Sequence, residues 1–100
     1  MTEREFVFED FSDKVGDEFV IAEEGLPPIA FKLVEAELLS ARHAPAGTRP
    51  PFSLIFTAQT PRMPPQRLYR LANDKLGTIT LFLVPIGRDE RGFLHQALFN

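Results

Sequence analysis

The sequence has no cysteine, no tryptophan and only two histidines. Without cysteine there are no disulfides, no thiolate metal sites and no cysteine nucleophile. No apolar run approaches the ~20 residues that a membrane-spanning helix needs, so no membrane association is expected. An excess of basic residues is also missing: 11 Lys and Arg stand against 14 Asp and Glu, for a net charge of −3. Nucleic-acid binders usually show a cationic patch, and none is expected here. The opening MTEREFVFED has no basic stretch followed by an apolar one, so no signal peptide is expected and the cytoplasm is the default compartment. The six glycines are dispersed, which removes phosphate-loop and dinucleotide fingerprints. None of Ser12, Ser40 or Ser53 sits in a Gly-x-Ser-x-Gly elbow.

What is present is a supply of core. The chain is 44% hydrophobic with ten Phe, and its 100 residues fit one domain, 1–100, able to fold without staples. Residues 66–86, QRLYRLANDKLGTITLFLVPI, read as a hairpin. Arg67–Ala72 is one strand, Thr78–Val84 the other, and Asn73 to Gly77 the turn between them. Ile79, Leu81 and Leu83 share one face while Phe82 and Val84 share the other, so the second strand is expected to be enclosed on both faces. Pro85-Ile86-Gly87 is expected to end it.

Upstream, Phe8, Phe11 and Val15 recur at helical spacing and predict a short N-terminal helix, with Gly16 as its cap. Phe19–Ala22 is a first strand and Glu23–Pro28 a turn. Ile29–Leu39 alternates until Val34, where the apolar parity switches, which predicts a β-bulge in mid-strand. A helix over 33–42 is the competing reading, because LVEAELLSAR is rich in helix formers. Phe52–Ala58 and Phe93–Phe99 complete six strands, separated by loops at 40–51, 59–65 and 87–92. The pattern predicts a mainly β fold: an antiparallel six-stranded barrel or sandwich-like meander with a short N-terminal helix. The last four strands, lacking any helix-length connection, read as the meander.

Chemistry-bearing residues are sparse. His43 falls in a loop and reads as solvated. His95 shares strand parity with Phe93, Ala97 and Phe99 and reads as an aromatic packing position. Neither has neighbours at metal-ligand spacing. No catalytic, metal or cofactor-binding residue is assigned, and no cofactor is expected. The more suggestive feature is arginine beside proline-rich loops. If those loops gather at the sheet ends, Arg42, Arg49, Arg62, Arg67, Arg88 and Arg91 could rim Met63 as a surface for a protein partner. The oligomeric state is left open.

The blocks PFSLIF (51–56), PPQRLYRL (64–71), LGTITLFLVPIG (76–87) and HQALFN (95–100) resemble, in this order, a bacterial family of about this length. That family is a domain of unknown function. Phe11 and Val15-Gly16 match its pattern before the first strand. Where the family commonly has Tyr-Glu in the last strand, this chain has His95-Gln96, which favours packing over catalysis for His95. The family has no established activity. Some members are encoded near phage-tail-collar-like proteins, which implies an accessory role in a tail-like assembly. Two functions follow as expectations. One is a non-enzymatic structural or protein-interaction domain. The other is a small-molecule-binding barrel or minor enzyme using His95, Tyr69 and Arg70. An interior packed with Phe and Leu favours the first; a polar cavity inside the barrel favours the second.

Overall fold

Alternating apolar side chains hold six segments extended, and the computed structural model, which describes residues 6–39 and 50–100, joins them in one antiparallel sheet. The strands are β1 (Glu18–Ile21), β2 (Ala30–Leu38), β3 (Phe52–Ala58), β4 (Arg67–Asn73), β5 (Gly77–Asp89) and β6 (Gly92–Phe99). A single helical turn, α1 (Glu9–Ser12), precedes them. The mainly β class, the strand count and the short helix are as expected from the sequence.

The sheet order is β1-β2-β3-β6-β5-β4, and β4 returns to β1 to close a ring. The closing seam is thin: only Val20↔Ala72 and Ile21↔Leu71 pair across it. Strands β4, β5 and β6 form a meander, but β3 pairs with β6 and not with β4. The expected four-stranded meander is therefore three strands, with β3 placed beside the last of them by a crossover, as in a Greek key. The crossover, residues 59–66, spans one end of the ring. The β1–β2 turn and the β5–β6 turn lie at that same end, here called the upper. The ends of β2 and β3 that flank the undescribed residues lie at the lower end, with α1 and the β4–β5 turn.

The parity switch at Val34 is a bulge: Leu33 pairs with Phe56 and Glu35 with Ile55, which leaves Val34 as the extra residue. Strand continues to Leu38, so the helical alternative for 33–42 fails over its described part. The pairing partner β3 decides it, since tertiary context overrides helix propensity. β5 runs past Pro85 to Asp89, with a second bulge between Pro85 and Gly87, and bulges are among the few places where a strand accepts proline. The helix ends at Ser12, sooner than the spacing suggests. Phe11 is buried, but Val15 lies beyond the last turn and is 50% exposed. Gly16 serves a turn instead of a cap: at φ +100° its N–H donates to the Leu33 carbonyl.

Inside the ring, Phe19, Phe31, Phe56, Leu33, Leu54, Leu71 and Leu83 have no exposed surface. At the lower end Phe11 packs on Phe19, Phe52 and Phe99, and the last two stack at 4.4 Å. The strand buried on both faces is β3, not β5. Ser53 and Thr57 point outward on β3, yet both are buried. Each is small and lies between longer residues, Glu37 and Leu98 for Ser53, and Lys32 and Leu94 for Thr57. The second apolar face of β5 is open, with Phe82 47% exposed.

Candidate functional site

Two consecutive prolines contribute no N–H, but their carbonyls still need partners. At the upper end these partners are side chains. His95 on β6 has no exposed surface, and its Nε2 lies 2.8 Å from the Pro64 carbonyl oxygen. A carbonyl only accepts, so Nε2 donates. Nδ1 has no hydrogen-bond partner among the described residues. Tyr69 on β4 donates its hydroxyl to the Pro65 carbonyl. Phe31 stands between the two rings, with centroids 5.2 Å from His95 and 5.4 Å from Tyr69. Burial pushes the Tyr69 hydroxyl pKa above its ordinary value, against the pull of nearby Arg67. The two polar tips thus clasp the crossover over the mouth of the ring.

Arg70, the third residue of the enzymatic alternative, is not part of this group. It follows Tyr69 on β4, so its side chain points to the outer, exposed face. Its backbone N–H donates to Glu23 Oε1 at 2.8 Å. Ser53 also points away from His95, since it faces outward while His95 faces in. Among the described residues no group of three or more His, Asp or Glu could hold a metal ion.

Of the arginine rim, Arg62, Met63, Arg67, Arg88 and Arg91 lie at the upper end. Arg42 and Arg49, with His43, lie outside the described residues, and the strand ends that flank them are at the lower end. Arg67 is engaged with Glu23 at 2.9 Å and lies over the Tyr69 ring, 5.2 Å from its centroid. Arg91 is engaged with Asp89 at 2.8 Å, which holds the Asp89 carboxyl below its usual range. Arg88 lies over Phe93. Met63 is exposed, as is Arg62.

A groove of ≈ 720 Å³ runs outside the ring, between Pro27-Pro28 of the β1–β2 turn and Thr60-Pro61 of the crossover. Its floor includes Ala30, Lys32 and Thr57. Nothing in it converges on His95 or Tyr69.

The outer face of β5, β6 and β3 is more distinctive. Its positions are Thr78, Thr80, Phe82, Val84 and the bulged Ile86; Leu94, Gln96 and Leu98; and Ser53, Ile55 and Thr57. None is charged. Phe82, Ile86 and Leu98 are each about half exposed, and Leu68, paired with Phe82 on β4, is 57% exposed. The β5–β6 ladder reaches Val84↔Gln96, and Phe82 and Leu98 each lie two residues beyond that pair with the same outward parity. Leu68 and Phe82 thus form an exposed apolar pair across β4 and β5, and Leu98 is exposed on the same side of β6. By contrast, the outer positions of β1 and β2 carry Glu18, Lys32, Glu35 and Glu37.

Sequence reasoning missed both features. The clasp could have been found by asking what satisfies the Pro64 and Pro65 carbonyls. The outer face shows as uncharged alternate positions through TITLFLVPI and LHQAL. Residues 6–99 match the model of a protein family described as Domain of unknown function (DUF6916). No curated protein matches the chain, and no solved structure matches it.

Proposed function

The chain belongs to the DUF6916 family, a domain of unknown function, and on that footing we propose that it is a non-enzymatic protein-interaction domain. The observation that carries this reading is the uncharged outer face of β5 and β6, where Phe82, Ile86 and Leu98 are about half exposed with Leu68 beside Phe82 on β4. Single exposed apolar residues are ordinary, but a contiguous patch on a sheet face marks an interaction site. Depletion of charge is the compositional signature of an interface centre. The interior supports the same reading, because the ring is filled by Phe and Leu and its upper mouth is covered by the clasped crossover. His95 Nε2 and the Tyr69 hydroxyl are spent in holding that crossover.

The partner in this reading is a protein. Nucleic acid would call for cations along the surface to meet phosphates, and the outer positions from Thr78 to Ile86 on β5, with those of β6 and β3, carry none. No helix among the described residues is long and apolar enough to cross a membrane. A cytoplasmic setting and an accessory role in a larger assembly belong to the same proposal. The test is affinity purification of the full chain from its native cells, beside a Phe82→Ser/Leu98→Ser variant that keeps the wild-type melting temperature. The expected result is one or more stoichiometric proteins present with wild type and lost with the variant. Identical co-purified sets would overturn the reading.

A further inference from the structure

We propose that the crossover, residues 59–66, is a strap that His95 releases when it takes up a proton, so that the upper mouth of the ring opens in mild acid. The strap belongs to no strand, and Pro61, Pro64 and Pro65 bring it no N–H. Among the described residues its hydrogen bonds to the rest of the chain are the two of the clasp, Pro64 to His95 and Pro65 to Tyr69. Within 59–66, Pro64 is the buried residue, and it is the one that His95 holds.

Of the two clasping rings, imidazole is the one whose charge changes between pH 5 and 8. Burial raises the Tyr69 hydroxyl above its ordinary value of 10.0, so it keeps its proton throughout. His95 has no exposed surface. The register sets Phe56 of β3 and Pro85 of β5 beside it, and Phe31 of β2 lies against its ring. From β4, Tyr69 turns its hydroxyl to Pro65. The charges at this end are engaged elsewhere or exposed: Arg67 with Glu23, Arg91 with Asp89, Arg88 over Phe93, and Arg62 and Glu90 on the surface. None of the packed elements thus offers His95 a carboxylate. A second ring proton would make a buried cation whose Nδ1–H has no acceptor among the described residues. With the strap lifted, both ring nitrogens meet water. Opening therefore binds a proton, and acid shifts the equilibrium toward the open form. What opening uncovers is an aromatic mouth formed by Phe31, Tyr69 and His95.

The chain has no cysteine, so a thiol probe can be placed under the strap. Ala58 faces inward at the upper end of β3, and Ala97 is buried nearer the lower end on β6. Labelling of Ala58→Cys by a disulfide reagent is measured at each pH and divided by the rate for a free thiol. The corrected rate is expected to rise about tenfold per pH unit below ~6.5, the value of an exposed histidine. Ala97→Cys should label far more slowly throughout. In the Ala58→Cys chain, His95→Gln keeps a donor for the Pro64 carbonyl and His95→Phe keeps a ring. Neither can gain the proton, and each should make the corrected rate independent of pH over this range. Tyr69→Phe should raise the rate at every pH and keep the slope. A flat rate in the unaltered background, a slope that survives both His95 variants, or equal labelling of Ala58→Cys and Ala97→Cys would overturn the proposal. Should neither His95 variant fold, His43→Gln decides between the chain's two histidines. A slope kept there supports release by His95, and a slope lost there overturns it.

Discussion

Leu83 shows what a single buried side chain does here. It has no exposed surface and lies opposite Arg67 in the β4–β5 ladder, inside the ring. Leu83→Ala should cost ~2–5 kcal/mol in chemical denaturation, the usual range for deleting a buried leucine side chain. A change within ~0.5 kcal/mol would be that of a surface position. His95 and Tyr69 make a different kind of test, since both hold the same short segment. Each of His95→Phe and Tyr69→Phe keeps a ring in the core and removes one hydrogen bond, worth ~0.5–1.5 kcal/mol. The double variant should be non-additive by ~0.5 kcal/mol or more, because releasing either carbonyl loosens the segment that the other ring holds. Additivity would mean that the two carbonyls are held independently. The parity of His95 with Phe93 and Ala97 made its inward position legible. Its bond to a carbonyl 31 residues earlier was not, because nothing in local spacing records which loop crosses the mouth.

At the level of elements, the seam between β1 and β4 depends on side chains as much as on ladder bonds. Ala22 N–H donates to the Arg70 carbonyl and Glu23 accepts from the Arg70 N–H, extending a two-pair ladder by a side chain. At the other end of the seam, Asn73 Nδ2 donates to the Glu18 carbonyl at 3.1 Å. The Arg70 N–H bond, aided by Arg67, holds the Glu23 carboxyl below its ordinary value of 4.5. A carboxyl with a lower pKa folded than unfolded stabilises the fold above its unfolded value. That contribution fades as pH falls through the folded value. Glu23→Gln should therefore be less stable than wild type at neutral pH, with the gap closing in acid below about pH 4, near the range of unperturbed carboxyls. Urea midpoints of both proteins across that range would show it, and a gap independent of pH would mean that the charge contributes nothing. Other elements were legible where the signal is local. Asn73 Oδ1 accepts from the N–H groups of Lys75 and Leu76, and Gly77 takes φ +77°, which is the turn that NDKLG announces. The bulge at Val34 was announced in the same way, by a change of parity. The extent of β5 was not, since a proline reads as a strand end unless its partner strand is known.

On the scale of the molecule, class and strand count follow from alternation, and the neighbours of each strand do not. β3 reads as the first strand of a meander because its connection to β4 is short. It pairs with β6 because β6 offers seven residues in register, Phe52↔Phe99 through Ala58↔Phe93. The open face of β5 was misjudged for a related reason. Two apolar parities imply cover on both sides, and the sequence does not say whether the second cover belongs to the chain itself.

The thin seam also bears on the order in which the ring forms. The β4–β5 and β5–β6 hairpins join neighbouring residues and carry little loop-closure entropy. Glu23 and Arg70, in contrast, must meet across 47 residues, and only two backbone pairs reward the meeting. The ring should therefore close last, on a curled sheet already present at the rate-limiting barrier. Folding kinetics would register this as φ-values near zero for Val20→Ala and Ile21→Val, against clearly higher values for Leu81→Ala in the β4–β5 hairpin. Substitutions at the seam would then change how long the native protein survives, by speeding its opening, and leave the speed of folding almost untouched.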